Sequence, residues 1–534
     1  MSFISWQFIA FVLLSLLAYY IVPKKIQWVI LLLVSYAFYS MGGISAIGYL
    51  LFTTFTTYIS GILLGKLNKK QEGEKEWFNS LNPKRKEKET LKHEVQEKKL
   101  KLWKKLCVAF ACVSNFGVLF VLKYWDFTAS IFNKAIPDGN FPIFNLILPL
   151  GLSFYIFQSI GYVVDVYRKK NEPEKNIFKF ALFVSFFPQM VQGPISRYHQ
   201  LGVELTKKHN FSFEALEAGI SLMLWGYFKK LLIADRAAVV VNLVFEKYTD
   251  YGGAIVLFGV ILYCIQLYCD FSGGIDITRG TAKLFGISLT ENFKRPIFAT
   301  SLADFWRRWH ISLGTWMKDY VFYPLSLSKP FIKLGSFIRK HVSGKAGKIL
   351  PVSIVTFIVY FIIGIWHGAS WKYIAFGIWN GFWITLSLLL EPVFIKIKQK
   401  LKISDNSKWF NIFKMARTSF LVLLGRYITR AANLGTAYVM LKITCTNFMP
   451  SQLFDGTLLT LGLTSTDFIV IGVGVAIMLI IEGLQEKGMN VSAKLKEKPV
   501  ILQWVIMTAF LMAIVFFGIY RGDYIASEFI YKQF

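Results

Sequence analysis

Apolar residues gather in long runs along this chain. The first is Ile4–Val22, and others follow at about 27–41, 43–64, 106–124, 143–166, 175–191, 215–234, 253–269, 350–367, 371–390, 413–429, 467–483 and 500–519. A bilayer core about 30 Å thick needs a helix of roughly 20 apolar residues, with about 17–25 as the working range. These runs therefore predict helices that cross a membrane, and the short or polar-interrupted ones predict helices that re-enter it. The expected fold class is all-α, a polytopic membrane protein with about 11–13 spanning or re-entrant helices. The first run has no positive charge before it and no small-residue cleavage site after it, so it reads as a retained span rather than a signal peptide. The sequence shows no internal repeat, heptad array or low-complexity tract. One domain over 1–534 is the simplest organisation, with a charged helical insertion at about 66–105.

The polar positions between the runs set the expected orientation. Residues 66–105 carry 14 Lys and Arg against 7 Asp and Glu, a net of +7, in a pattern that suits a solvated helix. Basic loops favour the cytoplasmic side. That places Lys24-Lys25 and Arg168-Lys169-Lys170 inside, the N-terminus outside, and the tail Tyr524–Phe534 outside. A second basic stretch, 271–349, has 13 Lys and Arg against 4 Asp and Glu, a net of +9, and belongs inside as well. It differs from the first in holding Phe305, Trp306, Trp309, Trp316 and Phe322 close together. Aromatic rings of that kind favour the membrane interface. Non-helical backbone at membrane depth must be buried in protein or line a cavity, and 271–325 is expected to be such a segment.

Composition sharpens this picture. The chain is 54% apolar and only 17% charged, yet its net charge is +28. High apolar content excludes a disordered polycation. Scarcity of charge argues against a soluble nucleic-acid binder, so no nucleic acid is expected among its partners; the lipid bilayer is. The five cysteines form no C-x-x-C pair, and most sit in apolar runs as small buried hydrophobes.

Two of the six histidines stand apart. His367 closes an apolar run, in Gly364-Ile365-Trp366-His367-Gly368-Ala369-Ser370-Trp371. An ionisable group beside a bilayer-length run is expensive and is a functional candidate by default. Helical spacing would set Trp371 beside its imidazole. The small residues Gly364, Gly368 and Ala369 would admit another backbone or a ligand. His310 lies in Asp304-Phe305-Trp306-Arg307-Arg308-Trp309-His310. The same spacing pairs Asp304 with Arg308 and puts Arg307 beside His310; an interfacial helix with tryptophan anchors explains the residues equally well. His93, His209 and His341 lie in polar surroundings, and His199 follows a proline-rich bend. There is no G-x-S-x-G, no H-E-x-x-H and no phosphate loop, and no metal site is expected. Histidine is the natural general base near neutral pH, which leaves base-assisted acyl transfer to a hydroxyl, or no chemistry.

At these residues the chain resembles the membrane-bound O-acyltransferase family, in particular its bacterial branch of alginate O-acetyltransferase membrane proteins; the D-alanyl transfer protein of teichoic acids is more distant. Phe187-Pro188-Gln189 with Gly193-Pro194-Ile195 is similar to the family's F-P-Q-x-x-x-G-P-I. Asp270-Phe271-Ser272-Gly273 with Asp276 is similar to D-F-S-G-x-x-D, and Glu291–Pro296 to E-N-F-x-R-P. Phe305–Leu313 with Thr315-Trp316 and Asp319-Tyr320 matches F-W-R-R-W-H-I-S-L-x-T-W-x-x-D-Y, and Trp366–Ala369 matches W-H-G-A. The chain departs from the pattern at Gly274-Ile275, at Val321–Lys329 after Tyr320, and in the long insertion at 66–105.

The resemblance implies a many-helix fold around a buried funnel or tunnel. It carries the family's essential histidine onto His367 and the second onto His310. It also implies acyl transfer from a cytoplasmic thioester, most simply acetyl-CoA, toward an extracytoplasmic polysaccharide hydroxyl. The donor is a substrate, and no tightly bound cofactor is implied. A separate SGNH-type protein is the expected partner for the final transfer, and the bacterial plasma membrane the expected location. Arg307, Arg308, Lys294 and Arg295 are then expected to steer the donor's phosphates. Asp270 would orient a partner, Trp306, Trp309, Trp366 and Trp371 would support the site with Asp304, and Gly364 and Gly368 would leave room for the thioester chain. The alternatives within the class are D-alanyl transfer to teichoic acid and peptidoglycan O-acetylation. From other classes come a transporter with proton-relay histidines, for which no inverted repeat is found, and an inert scaffold.

Overall fold

Apolar runs become long helices wherever no proline or strained turn interrupts them. The computed structural model describes residues 3–136, 139–190, 192–404 and 407–519. The expected position of the tail Tyr524–Phe534 therefore lies outside the described residues. Among those described, the chain is helical throughout its regular parts, with one isolated antiparallel bridge, Phe293 to Trp309. Among the described residues, seven helices are long and apolar enough to cross a membrane, and two shorter apolar ones, Trp6–Ile21 and Gln27–Ser40, precede them. The protein is a multi-pass, all-α membrane protein.

Contacts divide the chain into two compact units. The first is Met1–Leu216 with Thr281–Thr290, and the second is Glu217–Gly280 with Glu291–Phe534.

The first unit holds α1 (Trp6–Ile21), α2 (Gln27–Ser40), α3 (Ile44–Ser80), α4 (Pro83–Leu119), α5 (Trp125–Ala135), α6 (Leu152–Tyr167) and α7 (Ile177–Ser185). The charged insertion is two helices rather than one. It is the far halves of α3 and α4, folded back on each other through Leu81-Asn82. Asn82 accepts from the Arg85 N–H and Pro83 takes the first helical position, the standard chemistry of a helix start. Phe78 stacks on His93 at 4.1 Å, and Glu97 pairs with Lys101 at 3.0 Å. The F-P-Q and G-P-I segment is a chain of buried amides. The Gln158 side chain donates to Phe183 O, Gln189 donates to Gln158, and the Ser196 hydroxyl donates to Gln189. Pro188 ends the run that the sequence reads as one span at 175–191, so α7 is only nine residues long.

The second unit contains α8 (Phe213–Tyr227), α9 (Asp235–Glu246), α10 (Gly253–Leu284), α11 (Leu302–Arg308), α12 (Ile311–Met317), α13 (Lys329–His341), α14 (Ala346–His367), α15 (Trp371–Lys400), α16 (Lys408–Arg430), α17 (Leu434–Thr446), α18 (Ser465–Glu486) and α19 (Val500–Phe517). Helix α10 corrects one expectation. The non-helical segment does not begin at 271, because 271–284 continues the membrane helix; the irregular backbone is 285–301, and short helices follow. Gly273 and Gly274 do not break α10. Gly273 instead gives close approach, since a Cβ there would come within 2.8 Å of the Gly226 carbonyl. Small residues at helix crossings serve this purpose in membranes. The pair Gly364 and Gly377 does the same between α14 and α15, where a Cβ on Gly364 would meet Gly377 Cα at 2.7 Å.

Between α8 and α9 the helix widens into a π turn, Phe228–Ala234, that carries two lysines into the interior. Wide turns of this kind recur at functional and strained positions. Lys230 is fully buried, with Nζ 2.5 Å from Asp270 and 2.9 Å from Asp235. Lys229 reaches Asp276 at 2.6 Å and the Ser272 hydroxyl at 2.9 Å. The D-F-S-G-x-x-D segment is thus the counter-charge of the π turn. Removing one member of a buried ion pair costs about 3–5 kcal/mol, because the other charge is left uncompensated. Lys230→Met is expected to lose about that much stability and to lower the thermal unfolding temperature in detergent. Adding Asp235→Asn and Asp270→Asn is expected to restore most of it. A single variant as stable as the parent overturns the pairing as a structural requirement.

Candidate active site

His310 is placed by backbone, not by a helix. Helix α11 ends at Arg308, Trp309 is extended, and His310 adopts a left-handed conformation (φ +48°) before α12 starts. A non-glycine residue held there costs on the order of 1–3 kcal/mol and persists only when its surroundings fix it. The E-N-F-K-R-P segment does the fixing. Lys294 N–H donates to Arg308 O at 2.8 Å, and Ile311 N–H donates to Asn292 O at 3.0 Å. The Asn292 side-chain oxygen accepts from Ser312 N–H at 2.9 Å and lies 3.4 Å from His310 Nδ1. His310 is buried at 1% exposure. Burial, and the nearby His367, hold its pKa well below the usual histidine range, so the ring is neutral.

Aromatic rings join the other segments to it. Phe271, from the D-F-S-G segment, meets the His310 ring edge-on at 4.9 Å between centroids. Trp366, the residue before His367, lies 5.9 Å from it. His367 itself closes α14, half-buried, with Trp366 at 5.1 Å and Phe376 of α15 at 5.9 Å. Trp306 packs on Phe376 and donates through its indole N–H to Asn380 at 3.1 Å. A small void beside His367 is lined by Trp306, Trp309, Tyr373, Phe376 and Arg426 among others. The four segments that carry the resemblance in this unit therefore converge on the two histidines.

Several predicted partners sit elsewhere. Arg307 does not lie beside His310, because the helix stops first; it is exposed and 3.5 Å from Asp304. Asp304 and Arg308 do pair, at 3.1 Å. Arg308 and Arg295 both bind Glu486 of α18, at 2.9 and 2.7 Å. Their charges are thus largely neutralised, which leaves Lys294 and Arg307 as the exposed cations of the four. Asp270 serves Lys230. Trp371 is not on the helix of His367: it opens α15 and is exposed. The room at the small residues is also taken, since Gly364 abuts Gly377 and Gly368 abuts the Tyr373 ring.

The residues that sequence reading passed over are Asn292 as the brace, Lys229 and Lys230, and Arg426. The last three carried a legible signal, a charge inside an apolar run. Asn292 carried none beyond its place in the motif.

Comparison with known proteins gives the chain's relatives. Residues 174–424 match the model of the membrane-bound O-acyltransferase family. The probable alginate O-acetylase of Pseudomonas syringae pv. tomato is 28% identical over 422 residues, 78% of this chain and 70% of that protein. The peptidoglycan O-acetyltransferase of Helicobacter pylori is 32% identical over 305 residues, 52% of this chain and 54% of its own. The teichoic acid D-alanyltransferase of Bacillus subtilis is 26% identical over 327 residues, 60% and 76% of the two chains. A polytopic helical protein with these relatives is an acyltransferase, and its residues 174–424 are similar to the membrane-bound O-acyltransferase family.

Proposed function

We propose that this protein takes an acyl group, most simply acetyl, from a cytoplasmic thioester and passes it across the plasma membrane toward hydroxyls of an extracellular or cell-wall polysaccharide. The observation that carries the reading is the placement of His310 and His367 on either side of Trp366, in aromatic surroundings. His367 borders the void and is the general base: it takes the proton of the incoming hydroxyl as that oxygen attacks the thioester carbonyl. His310, neutral and held in a strained turn, positions the donor. Pre-organised geometry of this kind can supply a large share of a rate enhancement, and a misplacement of about 1 Å can cost about 100-fold.

Acetyl-CoA is the simplest donor, with Lys294 and Arg307 exposed to meet its phosphates. The alginate relative matches 78% of this chain against 60% for the D-alanyl one, which favours acetyl over D-alanyl. An SGNH-type partner outside the membrane would complete transfer to the polymer. In this orientation the N-terminus is outside, and 66–105 and 271–349 are inside.

Inside-out membrane vesicles given [14C]acetyl-CoA test the reading through polymer-bound label. His367→Ala is expected to lose at least about 100-fold of that label while the protein stays in the membrane at normal amounts. Full label from this variant removes His367 from the chemistry. Asn292→Ala releases the turn that carries His310. It is expected to lower the rate by roughly 10- to 100-fold and to cost about 1–3 kcal/mol of stability, since the Ser312 N–H loses its acceptor. Unaltered transfer by Asn292→Ala means that the strained turn is irrelevant to turnover.

A further inference from the structure

Next to the His367 void lies a much larger cavity, about 440 Å³, between α10, α16 and α18. Its walls are nearly all hydrocarbon, among them Ile265, Phe305, Val422, Leu423, Val475 and Leu479. Two residues, Trp309 and Arg426, line both spaces. Arg426 is 7% exposed, and its guanidinium stacks 5.3 Å over the Trp309 ring. Its Nε is buried and finds no hydrogen-bond acceptor.

This arrangement sets Arg426 apart within its unit. The other buried cations, Lys229, Lys230 and Arg236, each hold an aspartate. Among the described residues no carboxylate pairs with Arg426: its side-chain partners are the Cys264 thiol, a weak acceptor, and the Trp309 face, which supplies about 0.5–2 kcal/mol. Burying a charge without a partner costs far more than that. A guanidinium kept so, in hydrocarbon walls beside a histidine, is matched to a ligand that brings its own negative oxygen.

We infer that Arg426 is a catalytic residue that binds the acyl carbonyl oxygen and stabilises the oxyanion formed on it, an inference that rests on the acyl-transfer reading above. The step balances as follows. The acceptor oxygen forms a bond to the carbonyl carbon, and its proton goes to His367. The C=O electron pair moves onto the carbonyl oxygen, where the Arg426 N–H groups donate to it. That pair then reforms C=O as the C–S bond breaks, and the thiolate sulfur takes the proton from His367. Donors aimed at developing charge in a dry site are worth about 100- to 1,000-fold in kcat. Trp309 holds the guanidinium plane by stacking, and the two together form the wall between the apolar cavity and the reacting atoms.

The same vesicle assay, run with acetyl-CoA varied and rates normalised to protein in the membrane, tests the inference. Arg426→Met is expected to lower kcat at least about 100-fold with KM for acetyl-CoA within about threefold. Arg426→Lys, which keeps a charged donor, is expected to recover at least about tenfold of that loss. If Arg426→Met does not accumulate, Arg426→Gln carries the same expectation with a shape closer to arginine. A kcat within threefold of the parent overturns the inference. So does a loss that lysine fails to recover, which would mark a packing role against Trp309, or a change confined to KM. The two readings fail separately. A parent protein that transfers no label, or His367→Ala at full rate, breaks the acyl-transfer reading. An inactive His367→Ala beside a fully active Arg426→Met breaks the role of Arg426 alone.

Discussion

The compensation of buried charge governs the second unit. Lys229 and Lys230 enter its interior on a π turn, and Asp235, Asp270 and Asp276 meet them there. In hydrocarbon surroundings an unpaired charge is costly, so bringing these carboxylates to these ammoniums stabilises the unit. These short ion pairs draw α10 against the α8–α9 segment. The Gly226 and Gly273 contact then lets the two backbones come as close as the short ion pairs demand. Phe271, one residue along from Asp270, is carried by the same constraint to the edge of His310.

The site is built from short, bent pieces rather than from spanning helices. Helices α11 and α12 are each seven residues long and would not persist alone. They are held by the Asn292 bracket, by tryptophan stacking and by the Arg308, Glu486 and Arg295 cluster. Such pieces let one chain segment present a buried histidine at a chosen angle, which a straight helix would bury among lipid-facing residues. The cost is local strain at His310 and Arg295, both in left-handed conformations, one and two residues respectively from the bridged positions Trp309 and Phe293.

Much of this was legible from residue order. Apolar runs long enough to span, separated by basic loops, determined an all-α membrane protein, since a bilayer admits little else. Helical spacing determined the Asp304–Arg308 pair. A histidine at the end of an apolar run marked His367 as costly and therefore notable. The family's motifs marked His310 as well.

Other relations follow from contacts that spacing cannot express. Trp371 and Arg307 looked like neighbours of the histidines only if helices ran on past Arg308 and His367, and both helices end there because Trp309 and Gly368 are extended. Glu486, far along the chain, decides that Arg295 and Arg308 are paired. Helix crossing, not composition, decides that Gly364 and Gly368 serve packing. Sequence fixes which groups cannot be left in lipid, because that is a property of each residue. Which group satisfies which is a property of distance in space, and only the tertiary structure sets it: Lys230 with Asp270, Asn292 beneath His310, and Arg426 stacked on Trp309 beside the void that His367 borders.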